Sequence, residues 1–438
     1  MRFVFFLSAA LLGAQDTLPL SLKRAVEIAL TPEGSPRVAL AEESIRQSQT
    51  GVAQARAAFL PDIEASVTDQ NETVNLKSFG LNFTLPPGLG LNFPSFVGPF
   101  SLFDARATAQ QSVFDFSSIR KYQSSKVTVQ ATRADAETTR NQVSDAVARA
   151  YLACLRADAK LETERANVEL SDALLQLSNR QKTAGTGLAI EVTRAQVQLA
   201  NDRQNLIVAE NDRRKAALQL LRAMGLNLEA RIEFTDKLLY KPVDVGPMEA
   251  ALEKARKERA ELKAQAKREE IARLNYGSVK AERLPSLGVF GNYGAIGSEG
   301  AGALPTRAVG VTLKVPLFDG GRRDARRAES LSELRQQEIR SRDVKQQVEL
   351  DVRLALDSIR SAASQVETAR EGLALAENEL AQARRRYEGG VANSIEVTDA
   401  QTRLDRARDN RIAALYNYNL ARLDLATATG SIAEYLNQ

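Results

Sequence analysis

The sequence contains no histidine and no tryptophan, and a single cysteine among its 438 residues. Lack of histidine removes the commonest general base and the commonest metal ligand together. The notable acids fall on expected exposed helix tips, whereas carboxylate catalysis needs two acids fixed in a pocket. No catalytic residue, cofactor or metal is expected, and the chain is not read as an enzyme. Cys154 cannot form an internal disulfide; it shares a helical stripe with Val147, Ala150, Ala157 and Leu161, which points to packing and not reactivity. Aromatic residues make up 5%, too few for large compact aromatic cores. Neither sign of charge dominates: the formal net charge is +4, and acids and bases alternate along the helical segments, which weakens a nucleic-acid reading.

Long apolar runs are also missing. Arg2 followed by apolar residues 3–12, with Gly13 and Ala14 at a cleavage position, reads as a secretory signal over 1–14, too short to span a bilayer as a helix. Sec export follows, and without a cysteine after the cleavage position no lipid anchor is expected. The uncharged stretch 78–103 is broken by Pro86, Pro87, Pro94 and Pro99 and reads as a loop.

Alanine, leucine, glutamine, arginine and glutamate fill most of the rest, the usage of long helices and coiled coils. The decisive feature is an internal repeat. Residues 180–225 align without a gap on 385–430: Ile190-Glu191-Val192-Thr193 matches Ile395-Glu396-Val397-Thr398, and Ala195-Gln196, Leu199, Arg203, Asn205 and Gly225 recur as Ala400-Gln401, Leu404, Arg408, Asn410 and Gly430. Upstream, Leu60-Pro61 matches Leu284-Pro285 and Phe114-Asp115 matches Phe318-Asp319. The expected organisation is a signal peptide (1–14), a first repeat of helix, strand pair, long helix and helix (15–225), a linker at the equatorial region (226–246), a second repeat (247–430) and a C-terminal tail (431–438).

From Val348 to Tyr387 apolar positions advance in alternating steps of four and three, through Val352, Ala355, Ile359, Ala362, Val366, Ala369, Leu373, Ala376, Leu380 and Ala383, which is a heptad seam. Helical stretches over about 117–182 and 321–388 would each be roughly 100 Å long at ~1.5 Å per residue. Rods of that length need partners along their sides. Between them the period changes to two: Val309, Val311, Leu313, Val315 and Leu317 alternate with small or polar residues, and Leu287, Val289, Gly291, Tyr293 and Ala295 form the expected partner across a turn at 297–302. Ile63, Ala65 and Val67 begin a third strand and residues 105–116 supply a fourth.

A sheet in lipid must close on itself, and barrels of this kind use at least about eight strands. Four strands per chain cannot do so, whereas three copies would supply twelve. The fold class expected is mainly α with a small β part: an oligomer whose pooled strands close into a β-barrel and whose long helices gather into a coiled-coil cylinder around an axial channel. A soluble coiled-coil hairpin with small β caps, a periplasmic adaptor or structural protein, is the alternative.

Taken together, Leu20-Ser21-Leu22-Lys23-Arg24-Ala25, Phe59-Leu60-Pro61, Ala150-Tyr151-Leu152, Val315-Pro316-Leu317-Phe318-Asp319-Gly320-Gly321 and the duplicated tip motifs resemble the TolC family of outer-membrane efflux proteins over essentially the whole mature chain. The resemblance implies a homotrimer whose 12-stranded β-barrel, four strands per chain, lies in the outer membrane among its lipids and continues into a long α-helical coiled-coil tunnel. Its helical portion would cross the periplasm to meet a periplasmic adaptor (membrane fusion) protein and an inner-membrane pump. It further implies a passive exit duct for efflux or type I secretion, with cargo specificity residing mainly in the pump. Gly185, Thr186, Gly187 and Leu188, with Gly390, Val391 and Ala392, correspond to the tips that touch the adaptor. Glu396 and Asp399, on one helix face, match the acidic ring at the tunnel entrance, which would favour cations; an acidic first turn stabilised by the helix dipole explains the same residues without a pore. Tyr387 and Glu191 match the pair linking neighbouring hairpins in the closed state, although Tyr387 also ends the heptad seam, where packing alone would place it. The family's lock also uses an arginine where this chain has Ala392, and a polar residue where it has Ile190. Arg194 or Arg386 is expected to act in their place.

Overall fold

A computed structural model describes residues 18–31, 33–80, 95–298 and 302–437; the expected signal segment 1–14 and residues 299–301 of the expected 297–302 turn lie outside them. In chain order the elements are β1 (Leu18–Leu20), α1 (Leu22–Ala29), α2 (Pro36–Ala57), β2 (Asp62–Asn75), a 3-10 turn (Leu76–Phe79), β3 (Phe96–Phe114), α3 (Phe116–Thr183), α4 (Ala189–Met224), β4 (Ile232–Phe234), α5 (Met248–Glu258), α6 (Ala260–Ala281), β5 (Ser286–Gly297), β6 (Leu304–Lys314), α7 (Arg322–Glu388), α8 (Ser394–Thr429) and α9 (Ile432–Tyr435). The protein is mainly α with a small β part, and it divides into two compact units.

The first unit comprises residues up to 45, 132–265 and 341 onward. Its seam is the heptad stripe of α7: Val348, Val352, Ala355, Ile359, Ala362, Val366, Leu373, Ala376, Leu380, Ala383 and Tyr387 are all buried. The lower part of that stripe packs with Leu174 of α3 and with Val397, Ala400 and Leu404 of α8, as small residues alternating with larger ones allow. A second core gathers Leu20, Val26, Val38, Val147, Tyr151, Cys154, Leu220 and Leu423. Cys154 is 1% exposed, and burial pushes its thiol up to about 12, so it stays an unreactive thiol at neutral pH. Here β1 pairs in parallel with β4, and the Tyr151 hydroxyl reaches the Leu20 carbonyl (2.9 Å) and Asp236 (2.8 Å). Neither short strand carries a periodicity long enough to be read from sequence.

The second unit, residues 46–131 and 266–340, contains a four-stranded antiparallel sheet in the order β2-β3-β5-β6. Register decides its faces. Ile63 pairs with Ala109, which pairs with Gly291, which pairs with Val309; Val67 pairs with Ala105, then Ala295 and Pro305; Leu287 lies between Phe114 and Leu313. Side chains alternate along each strand, so these residues share one apolar face. Glu64, Thr108, Asn292 and Ala308 occupy the other, with the ion-paired Asp104 and Arg106. Ile63, Val67, Val309, Val311 and Leu313 are all exposed on the single chain. Strands β2 and β6 are the outer two, and each leaves an edge unpaired among the described residues.

Two readings need correction. Residues 96–103 are not loop: β3 starts at Phe96 and pairs with the end of β2 through Val97 opposite Val74 and Phe100 opposite Glu72. Their proline and glycine content hid a strand whose partner fixes it; residues 81–94 of that stretch lie outside the described residues. Strand β6 ends at Lys314, and Val315 and Leu317 stand outside it. Pro316 has no N–H to donate to a ladder, so the alternation continues past the strand it suggested.

Candidate functional site

The two helical hairpins of the first unit reverse at 184–188 and 389–393, and their backbones repeat as their sequences do. Gly185 (φ 74°) and Gly390 (φ 71°) are both left-handed, a conformation that costs a side-chain-bearing residue. The Thr186 N–H donates to Gln181 O (2.9 Å) and the Val391 N–H to Arg386 O (3.0 Å), and the Gly185 and Gly390 N–H groups donate to Lys182 O (3.0 Å) and Tyr387 O (3.1 Å). These bonds close the last turns of α3 and α7 as a glycine helix terminus does. Gly187 packs back on the same turn, its N–H 3.0 Å from Gln181 O, and Ala392 is half-buried. Both tips present apolar side chains to solvent, Leu188 at 67% and Val391 at 72% exposure.

Helix starts beside these turns differ in their caps. Asn393 accepts from the Ile395 (3.1 Å) and Glu396 (3.3 Å) N–H groups through its side-chain oxygen, satisfying two of the free donors of α8. Leu188 has no oxygen to offer α4. Glu191 acts from the third position: Oε2 accepts from the Leu188 N–H (3.2 Å), and Oε1 accepts from the Ser394 N–H (3.5 Å). One carboxylate therefore ties the start of α4 to the start of α8.

Tyr387 is buried beneath these turns, its hydroxyl 3.3 Å from Ser178 Oγ, and Gln181 Nε2 donates to its carbonyl (3.4 Å). Burial raises the phenol pKa, and the nearby Glu191 charge adds to the effect. Tyr387 and Glu191 are thus neighbours within one chain, each held by other partners. Glu396 is paired with Arg386 Nε at 3.0 Å, while Asp399 and Arg194 are exposed. Arg194 has no carboxylate partner among the described residues.

Below the tips lies a polar core that was not expected. Asp202 of α4 is 2% exposed; it accepts from the Ser171 hydroxyl of α3 and from Gln198 Nε2 (3.0 Å), and Gln401 Nε2 of α8 donates to Ser171 Oγ (2.7 Å). Asp405 carries a buried Oδ1 without a hydrogen-bond partner. Burial, reinforced by the Asp202 charge, pushes its carboxyl up to about 6. The signal in the sequence was the spacing of Val192, Leu199, Asp202 and Ala209, a heptad stripe with a carboxylate in it. A small cavity of about 20 Å³ lies above, bordered by Ser178, Glu191, Tyr387, Ser394 and Gln401. None of this assembles a nucleophile with a base, and no group of His, Cys, Asp or Glu among the described residues could hold a metal ion.

Comparison with known proteins bears on the whole chain. A family model described as "Outer membrane efflux protein" matches residues 28–226 and 251–431. The chain is 26% identical over 297 residues to outer membrane protein TolC of Vibrio cholerae, covering 66% of this chain and 67% of that protein. It is 25% identical over 446 residues to the alkaline protease secretion protein AprF of Pseudomonas aeruginosa, covering 97% and 87%. Its fold is similar to the crystal structure of the outer membrane protein VceC from Vibrio cholerae, with a TM-score of 0.79 at 19% identity over 93% of this chain and 96% of that one.

Proposed function

The chain belongs to the outer membrane efflux protein family, and from that premise we propose that three copies pool their strands into one closed barrel and their long helices into one tunnel. The protein is an outer-membrane exit duct, with its helical part in the periplasm. The observation that carries the trimer is the sheet: four strands, one apolar face bare to solvent, and two edges unpaired among the described residues. In hydrocarbon each unpaired edge group would cost several kcal/mol. Four strands are too few to close, since the smallest such barrels have about eight. Three copies supply twelve.

On this reading the exposed tips, Gly185 to Leu188 and Gly390 to Ala392, meet a periplasmic adaptor protein that joins the duct to an inner-membrane pump. The duct does no chemistry and is a passive conduit for efflux or secretion. AprF is named for secretion of an alkaline protease, and an analogous export partnership is proposed here. Glu396 and Asp399 form the acidic ring at the entrance, where converging carboxylates favour cations. Tyr387, Glu191, Arg194 and Arg386 are the gating contacts, with Glu191 bridging the starts of α4 and α8 and Arg386 engaging Glu396; Arg386 then substitutes for the arginine that the chain lacks at Ala392. Planar-bilayer recording tests this: the reconstituted protein conducts and prefers cations, and Glu396→Ala with Asp399→Ala lowers that preference. A reversal potential unmoved by the double substitution would remove the acidic ring.

A further inference from the structure

The same sheet carries a second feature at one end. All four connections to helices leave from one end of the sheet: α2 into β2, β3 into α3, α6 into β5 and β6 into α7, with Asp62 opposite Gln110, Phe114 opposite Leu287 and Ser286 opposite Lys314. Aromatic rings concentrate there. Phe59 packs edge-on against Tyr122 with centroids 5.8 Å apart, Phe114 against Phe116 at 4.5 Å, and Phe318 is 89% exposed. Rings that are apolar on one side and near polar groups on the other occupy the boundary between hydrocarbon and headgroups.

Immediately beyond the rings stand cations. The acids of this zone are largely satisfied locally: Glu282 pairs with Arg326 (2.8 Å), Asp319 with Arg323 (3.4 Å) and Asp324 with Arg283, and Asp115 accepts from the Ser117 N–H (2.9 Å) and the Ser118 hydroxyl (2.6 Å). Asp62 is the exposed acid left over. Arg56, Arg120, Lys121, Lys280 and Arg322 are exposed, each lies within eight residues of the strand its helix joins, and none has a carboxylate partner among the described residues. Every one of the four helices contributes at least one. Local ion pairing would leave no such surplus, and a protein partner would not require it on all four helices. A surface of fixed phosphates bordering the hydrocarbon meets all of them.

We propose that this collar binds the headgroups of anionic phospholipids in the leaflet that faces the helices. The inference rests on the barrel reading, because only an inserted sheet brings the collar to that leaflet. Each juxtamembrane cation is attracted to an anionic surface, and the cations of the collar act together, so the collar is expected to enrich anionic lipid about tenfold or more around the protein. The test reconstitutes the full protein in vesicles of phosphatidylethanolamine containing phosphatidylglycerol, extracts it in mild detergent and measures the ratio of the two lipids retained against the bulk ratio. Wild-type protein should retain phosphatidylglycerol at about ten times the bulk ratio or more, and should lose that preference when vesicles are made and extracted at high salt. The variant Arg56→Gln, Arg120→Gln, Lys121→Gln, Lys280→Gln, Arg322→Gln should retain the bulk ratio. Retention at the bulk ratio by wild-type protein overturns the collar, as does a preference that survives either the substitutions or the salt. The salt series needs no variant, so it decides even if the substituted protein does not fold. Conductance of the wild-type protein in phosphatidylethanolamine alone reports on the barrel separately: conductance without lipid enrichment ends the collar and spares the duct, and no conductance ends the duct itself.

Discussion

At the residue scale, the acids near the tips differ in their surroundings more than in their chemistry. Glu396 has Arg386 at 3.0 Å, so part of its charge is neutralised within its own chain. Replacing Arg386 with alanine should therefore strengthen the cation preference of reconstituted channels, the opposite of the effect of Glu396→Ala; bi-ionic reversal potentials check the sign. Glu191 holds two backbone N–H groups, and Glu191→Ala should destabilise the tip by about 1 kcal/mol, seen as faster amide exchange at Leu188 and Ser394. Asp405 gives a pH dependence. Its carboxyl is lifted from the ordinary 3.8 to about 6 by burial and by the Asp202, Glu164 and Asp409 charges, with Arg408 opposing. The folded state thus keeps a proton that the unfolded chain has released. Its contribution to stability is complete below the ordinary value and is lost as pH rises to about 6. Asp405→Asn should stabilise the protein at neutral pH by roughly 1–2 kcal/mol and flatten that part of the profile in chemical unfolding. The tip glycines and the helix starts after them were legible from their repeated motif. The side-chain partners were not: Arg386 meets Glu396 across the reversal at 389–393, and Ser178 of α3 meets Tyr387 of α7 by packing between helices far apart in sequence.

At the scale of elements, the long helices were written in the chain and the short pairings were not. Alternating steps of four and three from Val348 to Tyr387 demanded a buried stripe, and burial follows it. Strands β5 and β6 showed their two-residue period. The start of β3 and the β1–β4 pair depend on partners far along the sequence, Leu18 on Ile232 and Val97 on Val74 across a ladder irregularity, so local patterning could not reveal them. The left-handed glycines that end helices show how like positions acquire unlike demands. Gly225 after α4 and Gly185 after α3 are both left-handed, at φ 70° and 74°, but a Cβ on Gly225 would collide with the Gly34 carbonyl oxygen, while one on Gly185 would meet nothing within 4 Å. Gly185→Ala should cost about 1 kcal/mol, the backbone conformation alone. Gly225→Ala should cost more than about 2 kcal/mol because the contact must also be relieved. Urea unfolding of the two variants side by side measures the difference.

At the scale of the molecule, everything depends on how the sheet finds its missing neighbours. One face carries Ile63, Val67, Val309, Val311 and Leu313 into the open, and both outer strands leave an edge unpaired among the described residues. In the proposed trimer, twelve strands from three chains would satisfy the edges and give the apolar face its hydrocarbon. The measurement that tests this most directly is the native mass of the protein extracted from outer membranes in mild detergent, with disulfide trapping across the edges through Glu64→Cys paired with Thr312→Cys, neither of which faces lipid in the sheet register. Three chains per particle, with cross-links that join separate chains through β2 and β6, are predicted. A particle containing one chain, or a β2-to-β6 cross-link that closes within one chain, would contradict the account.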